Sequence, residues 1–462
     1  MTDSTTTTTG AGRWASALVV GLGRSGLAAA ELLRALGVAV RGYDARAAIE
    51  DLPSELPVHL GTPQVPDEAL AGVDLVVLSP GVPPGPVRER AAAVAPQAEV
   101  HGELGLGLAV VHSGDPRLRA VPTVLVTGTN GKSTVTALTG ALLEAGGRRP
   151  FVGGNLGVPL CARVHETVAG GQPWADALVL ECSSFQLETL PAVPTDVAMI
   201  INITPDHLDR YDSVGDYART KARIFAGLGS AGLALLDADD PWTERLAPAG
   251  PRVRRVGEPT GARVEGEGPT QQLRLADDEC YLRSSLRIAG GHNARNALFA
   301  LLAARHLGVS PSACAEGLAR FEGLPHRMVL VRELRGVAYY NDSKATNVAS
   351  ALAGLGGLDR PFVLIAGGLS KGDDLEPLRT LLGARGRGLV AVGDSADQFA
   401  ALAEGVVPVV RAGLMDDAVR KATALAQAGE AVVLAPACAS FDQYRSYAHR
   451  GEVFTAAVLA LG

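Results

Sequence analysis

A chain of 462 residues has the length of about three domains, and its 47% hydrophobic content is enough for several cores. The formal charge of −7 argues against a nucleic-acid partner, and no apolar run reaches the ~18 residues of a membrane span. Five cysteines without a CxxC spacing fit free thiols in a reducing cytoplasm.

The opening MTDSTTTTTGAG lacks the basic and apolar regions of a signal peptide, and residues 1–14 read as a disordered tail. A first domain spans 15–114. Ala17 to Val20 is an apolar strand, and Gly21-Leu22-Gly23-Arg24-Ser25-Gly26 turns it into a helix reaching about Leu36. Val38 to Tyr43 is a second strand closing on Asp44. This is the dinucleotide fingerprint, with glycines for a tight turn and an acid about twenty residues on. Taken alone it reads as an NAD site. A later strand, Asp74 to Leu78, ends in Ser79-Pro80-Gly81, where open α/β sheets bind ligands.

A central domain spans 115–323. Val124 to Val126 is a buried strand, followed by a Gly128–Gly131 turn and a helix with Val135, Leu138 and Leu142 on one face. Loop N–H groups and the helix dipole favour a polyphosphate there. Lys132 adds a compact positive charge, and Ser133 or Thr134 a hydroxyl for Mg²⁺. The strict G-x-x-x-x-G-K-[ST] pattern is not met, because Val126 takes the place of the first glycine. GGNLG (Gly153 to Gly157) reads as a substrate-facing turn. Glu181, at the tip of the Ala177–Leu180 strand, suits Mg²⁺ or a helix start. Asp206, His207 and Asp209 follow the Val197–Ile201 strand as either a metal site or a cap and turn. Lys221, between Arg219 and Arg223 on a helix from Tyr217 to Leu228, reads as a surface lysine. Residues 231–290 alternate and read as antiparallel strands completing the central sheet. Gly290-Gly291-His292-Asn293 opens a helix ended by Gly308, with Asn293 as N-cap.

A third domain spans 324–462. Strands Val337–Tyr340, Phe362–Ala366, Leu389–Val392 and Ala431–Leu434 each run into a polar motif. Such motifs at the ends of parallel strands define one ligand-binding edge, with Lys344 and Lys371 on it. The expected fold class is α/β in three domains: Rossmann-like, P-loop-type ATPase, and Rossmann-like again.

TGTNGKST, ECSSFQLE, NITPDHLDRY, GGHNARNAL, LPHR, NDSKATN and ACASFDQY together resemble the Mur ligase family from Ala17 onward. NDSKATN, GGLSKGDD and ACASFDQY resemble its D-glutamate-adding branch, and the DNPR motif of the diaminopimelate-adding branch is absent. The resemblance implies a cytoplasmic, monomeric, ATP-dependent amide-bond-forming ligase. It would join D-glutamate to UDP-N-acetylmuramoyl-L-alanine through an acyl phosphate, with no nucleic-acid or membrane partner. The resemblance replaces NAD at Gly21–Gly26 with the diphosphate of a UDP-sugar.

The site residues are likewise implied by resemblance. ATP would lie on Gly128, Thr129, Asn130, Gly131, Lys132, Ser133 and Thr134, with Asn293 and Asn296 toward adenine and Arg327 and Asp342 on the nucleotide. The UDP-sugar would meet Arg24, Ser25, Asp44, Gly81, Asn155 and His207. Two Mg²⁺ would use Ser133, Glu181, His207 and Lys221, the last as a CO₂-derived carbamate. That modification turns a cation into the bidentate anion a second Mg²⁺ needs. Thr346, Lys371, Ser440 and Tyr447 would bind D-glutamate; Tyr447 stands where the family pattern has Phe. Lys132, His207, Lys221 and Lys344 are the implied catalytic residues.

Overall fold

The apolar runs become buried strands of three large, mostly parallel sheets, and the chain is α/β in three domains. The computed structural model describes residues 13–49, 52–288, 290–370 and 372–462. By contact it forms two compact units, one running to Leu282 and taking in Asn296–Leu318, the other joining Arg283–Arg295 to Ala319–Gly462. The expected tail falls outside the described residues except for Arg13 and Trp14. Trp14 is buried in the apolar core and Arg13 forks onto Glu99, so these two residues of the expected tail are part of the fold.

The first sheet comprises β1 (Ser16–Val20), β2 (Ala39–Asp44), β3 (Val58–Leu60), β4 (Leu75–Leu78) and β5 (Glu99–Gly102). All are parallel in the order β3-β2-β1-β4-β5. Ala17 to Val20 and Leu75 to Leu78 are buried without alternation, as a parallel sheet covered on both faces requires. The order reverses between β1 and β4, which opens a crevice at their carboxyl ends.

The second sheet is built of β6 (Thr123–Thr127), β7 (Pro150–Gly154), β8 (Ala177–Glu181), β9 (Thr195–Ile200), β10 (Leu228–Asp237) and β11 (Arg252–Val256). Its order is β11-β10-β9-β6-β8-β7, again parallel. Two sequence expectations are corrected here. The helix around Lys221 is Val214–Ala222, followed by a 3₁₀ turn to Phe225, and Leu228 already begins β10. The antiparallel strands do not complete the central sheet: β12 (Arg263–Glu265), β13 (Gln272–Ala276) and β14 (Glu279–Leu282) form a separate three-stranded sheet. Leu273 and Leu275 bury one face only, whereas Leu233 to Leu236 form a continuous buried run. One-sided alternation suits an exposed antiparallel sheet and continuous burial a parallel one.

The second unit carries β15 (Val329–Leu334), β16 (Val337–Asn341), β17 (Phe362–Gly367), β18 (Gly386–Val392), β19 (Val409–Arg411) and β20 (Ala431–Leu434). The order is β15-β16-β20-β17-β18-β19, with only β15 antiparallel. Among the described residues no helix is long and apolar enough to cross a membrane.

Candidate active site

At the carboxyl end of β6 the backbone curls through Gly128 (φ 155°) and Gly131 (φ 83°) into the Lys132–Ala145 helix. A Cβ on Gly131 would stand 2.6 Å from Asn296 Oδ1, so the glycine is needed both for its dihedral and for space. Asn202, at the end of β9, holds the loop from the other side. Its Oδ1 accepts from the N–H groups of Thr129 (3.1 Å) and Asn130 (2.9 Å), and its Nδ2 donates to the Asn130 carbonyl (3.0 Å). Sequence reasoning missed Asn202, although it opens the NITPDHLDRY motif. The available signal is a polar side chain at the end of a strand beside the loop strand.

Two amines converge on one carbonyl. Lys132 Nζ donates to Gly128 O (2.9 Å) and Thr129 O (2.7 Å), and Lys221 Nζ donates to the same Gly128 O (2.9 Å) and to Thr127 Oγ1 (3.3 Å). Lys221 is 1% exposed and its Nζ lies 4.5 Å from the centre of the Tyr217 ring. The surface-lysine reading is therefore overturned. Helix Val214–Ala222 turns Tyr217 and Lys221, one turn apart, toward the core. Burial, with repulsion from Lys132 added, holds the Lys221 amine well below the usual lysine range against the weaker pull of Asp206 and Glu181.

Glu181 ends β8, 3% exposed. Its Oε1 accepts from Asn155 Nδ2 at 2.6 Å, which ties the Gly153–Gly157 turn to it, while its buried Oε2 has no hydrogen-bond partner. A buried anionic oxygen without a donor suits a cation, so Glu181, with the buried hydroxyls of Ser133 and Thr134, fits a Mg²⁺ site. The helix-start alternative for Glu181 does not hold: the helix after β8 is capped by Ser183. Among the described residues no three His, Cys, Asp or Glu side chains converge on a metal position. Asp206, His207 and Asp209 lie on a turn: the His207 N–H donates to Asp206 Oδ1, and the His207 carbonyl accepts from the N–H groups of Arg210 and Tyr211. His207 sits at φ 54°, with its ring 4.7 Å from that of Phe185.

The first-sheet crevice contains Gly21 (φ 87°) and accepts the Ser79 hydroxyl on Gly21 O at 2.6 Å. It opens into a cavity of about 790 Å³ lined by Val20, Gly21, Tyr43, Asp44, Gly81 and Val82 among others. Asp44 accepts the Leu22 N–H at 2.8 Å and pairs with Arg46. That guanidinium holds its carboxyl well below the usual range. Arg24 is exposed and Ser25 half-buried at the start of the Arg24–Ala35 helix. Glu103, unremarked in the sequence, accepts the Cys161 N–H at 2.7 Å. It thereby pins the helix that follows the Gly153–Gly157 turn, and burial raises its carboxyl to about 7.

Asn293 is not an N-cap: it lies within the Gly291–His306 helix, whose entry turn is made by Gly290 at φ 93°. Of the two asparagines, Asn296 is the one buried against Gly131, on the phosphate loop.

In the second unit, Asp342 at the end of β16 is buried and accepts the Met328 N–H at 3.2 Å. Burial pushes its carboxyl up to about 7 despite Arg327. Lys344 Nζ stands 3.7 Å from the Tyr447 ring centre, so the aromatic face at 447 meets a cation. Ser440 is buried and Thr346 half-buried. Lys371 lies outside the described residues. Arg450, missed in the sequence, is 1% exposed and donates to Ser343 O (2.9 Å), Cys438 O (3.1 Å) and Ala439 O (3.3 Å). It ties the NDSKATN loop to the ACASFDQY loop, and burial lowers it to about 10.

A glycine loop at a helix N-terminus beside a buried amine and a buried carboxylate oxygen without a hydrogen-bond partner, on a chain of three α/β domains, is the arrangement of a phosphate-handling enzyme. Residues 15–102 match the Mur ligase MurD-like N-terminal domain, 126–304 the Mur ligase middle domain, and 326–438 the Mur ligase glutamate ligase domain. The chain belongs to the Mur ligase family. It is 40% identical over 459 residues to UDP-N-acetylmuramoylalanine--D-glutamate ligase of Nitrosospira multiformis, covering 96% of this chain and 95% of the relative. It is also 40% identical to the enzyme of that name from Thiobacillus denitrificans, covering 96% of each. Among solved structures, UDP-N-acetylmuramate-alanine ligase from Thermotoga maritima shares the fold at TM-score 0.60 and 17% identity, over 96% of this chain and 99% of that one.

Proposed function

We propose that this chain is an ATP-dependent ligase that joins the amine of D-glutamate to the L-alanyl carboxylate of UDP-N-acetylmuramoyl-L-alanine, a step of peptidoglycan precursor synthesis. The observation that carries the reading is the convergence of Lys132 and Lys221 on the Gly128 carbonyl. The choice of substrates rests on the name shared by relatives at about 40% identity across nearly the whole chain.

The γ-phosphoryl group passes to an alanyl carboxylate oxygen, leaving ADP and an acyl phosphate. The D-glutamate amine then attacks the carbonyl carbon, the C–O bond to phosphate breaks, and the amine gives up a proton. Such transfer needs positioning and charge neutralisation more than covalent help. Lys132 and the loop N–H groups other than those of Thr129 and Asn130, which Asn202 engages, bind the β- and γ-phosphates; Asn293 and Asn296 are assigned toward the adenine, Asn296 being the better candidate. Within the second unit Arg327 and Asp342 are assigned to the nucleotide and Lys344 to the γ-phosphate. The UDP-sugar is assigned to the first-sheet cavity, which Asp44 and Gly81 line, with Arg24 and Ser25 at the start of the Arg24–Ala35 helix and Asn155 and His207 taken toward its acyl end. Two Mg²⁺, held by Ser133 with Glu181 and by His207 with Lys221, supply charge neutralisation when bound.

Lys221 serves as a carbamate. Only an unprotonated amine adds CO₂, and burial, which holds the Lys221 amine well below the usual lysine range, favours that form. D-Glutamate is assigned to Thr346, Lys371, Ser440 and Tyr447. Lys371 neutralises one carboxylate, and the hydroxyls bind the other.

The deciding experiment is phosphate release with UDP-N-acetylmuramoyl-L-alanine, ATP and Mg²⁺ across a panel of D- and L-amino acids. D-Glutamate should be fastest; faster release with L-glutamate, L-lysine or diaminopimelate would overturn the substrate assignment. In the same assay Lys371→Ala should raise KM for D-glutamate at least ~10-fold, the scale of one charge-assisted contact, with KM for ATP nearly unchanged. Equal shifts in both constants would remove Lys371 from the amino-acid site.

A further inference from the structure

Two motifs of the central domain extend past the residues assigned above: ECSSFQLE runs on to Glu188, and NITPDHLDRY to Arg210 and Tyr211. The fold brings these three together. Arg210 Nε and Nη2 fork onto Glu188 Oε1 (3.0 Å) and Oε2 (2.6 Å), and the Tyr211 hydroxyl donates to Glu188 Oε1 at 2.7 Å. The pair is nearly buried, its side chains 15% and 13% exposed. The Arg210 guanidinium also lies 4.2 Å from the centre of the Phe185 ring, and that ring stands 4.7 Å from the ring of His207 and 6.3 Å from that of Tyr211.

His207 stands in the left-handed region at φ 54°, a conformation disfavoured for a residue with a Cβ and kept only where surroundings over-determine it. Its carbonyl is held by the N–H groups of Arg210 and Tyr211, at 3.0 and 3.1 Å. The side chains of those same two residues are the ones anchored on Glu188. The anchor is itself fixed: Arg88 donates to Glu188 O at 3.1 Å, and Tyr211 packs its ring 5.4 Å from Tyr217, which lies under Lys221 and reaches Thr129 Oγ1 at 3.2 Å.

We infer that Glu188, Arg210 and Tyr211 are positioning residues that hold His207 in its left-handed conformation, with its ring aligned by Phe185, beside the phosphate loop. The inference rests on the assignment of His207 to the substrate and metal side of the site. A bidentate carboxylate–guanidinium pair fixes orientation as well as position, and groups that orient a ligating or substrate-facing histidine are typically worth 10–100-fold.

The test is a set of double-mutant cycles in the phosphate-release assay, run on the full chain with thermal unfolding measured for each variant. Glu188→Gln removes the charged acceptor, Arg210→Lys keeps the charge but loses the fork, and Tyr211→Phe keeps the ring. Glu188→Gln and Arg210→Lys should each lower kcat/KM ~10–100-fold in the wild-type background, Tyr211→Phe less. In a His207→Ala background each should lower it less than about twofold further. Losses that multiply in full with that of His207→Ala would overturn the inference, as would folded variants with lowered melting temperature and wild-type kcat/KM. Should Glu188→Gln not fold, Arg210→Lys and Tyr211→Phe carry the same comparison. Wild-type turnover by His207→Ala alone would instead overturn the assignment of His207, and the inference with it.

Discussion

Replacing Lys132 by alanine is expected to lower kcat about 10²–10³-fold, the scale on which one preorganised group stabilises developing charge in a transition state. The ammonium is half-buried and bonded to the carbonyls of Gly128 and Thr129, within the loop proposed to hold the phosphates. A hydrogen bond to a charged group is worth about 1.5–3 kcal/mol in the ground state, so nucleotide affinity should fall as well, but by less than turnover. A second effect follows from the neighbouring amine. After burial, the charge of Lys132 is what depresses Lys221 most, and its removal should raise the Lys221 pKa and leave that amine more protonated. Stability should change little, because the side chain lies at the loop rather than in the apolar core. ATP-dependent phosphate release at the wild-type rate in Lys132→Ala would end the phosphate-loop assignment.

Replacing Lys221 should abolish turnover and leave the fold intact. Its amine touches Thr127, Gly128 and the Tyr217 ring, and its proposed role is chemical. Lys221→Ala should regain part of its activity when a small carboxylic acid is added to occupy the carbamate's place. Intact mass of the wild-type protein should show one CO₂ adduct; a bare amine in a high-resolution map together with an unmodified mass would exclude the carbamate.

The stability prediction runs the other way. The folded pKa of Lys221 lies below the unfolded value of about 10.4. Between the two, the unfolded chain holds a proton the folded chain has released, so stability rises with pH across that window and falls as pH drops through the folded pKa. Lys221→Met, which fills the space without an amine, should lack this rise and be the more stable protein at neutral pH. Denaturant unfolding in CO₂-depleted, Mg²⁺-free buffer at ~pH 6.5 and ~pH 9 checks the sign. An equal pH slope in both proteins would mean that burial does not depress the amine.

Much of this site is legible in the sequence, because its parts are local. An apolar run such as Val124–Val126, two glycines and a Lys-Ser-Thr start define a strand, a turn and a helix within about twenty consecutive residues. The dihedrals of Gly128 and Gly131 are what that short pattern predicts. Strand ends carrying Glu181, Asp342 and Asn341 are visible for the same reason, since an apolar run stopping at a polar residue marks its own boundary. Boundaries that depend on helix entry are less secure: Asn293 has the chemistry of an N-cap, yet a glycine turn at 290 starts the helix before it.

Residue types and their order along the chain determined the three α/β domains, the phosphate loop and the strand-end motifs, because hydrophobic period, glycine dihedrals and turn chemistry act over neighbours in sequence. Tertiary structure alone decided that Lys221, flanked by two arginines, is buried, since the groups that bury it, Thr127 and Gly128, lie 94 and 93 residues away. It alone decided that Asn202 grips a loop 72 residues upstream, that β12 to β14 leave the central sheet, and that Glu188 anchors the turn of His207. Desolvation, pairing partners and strand register are properties of what packs against a residue, and no window of local sequence contains them.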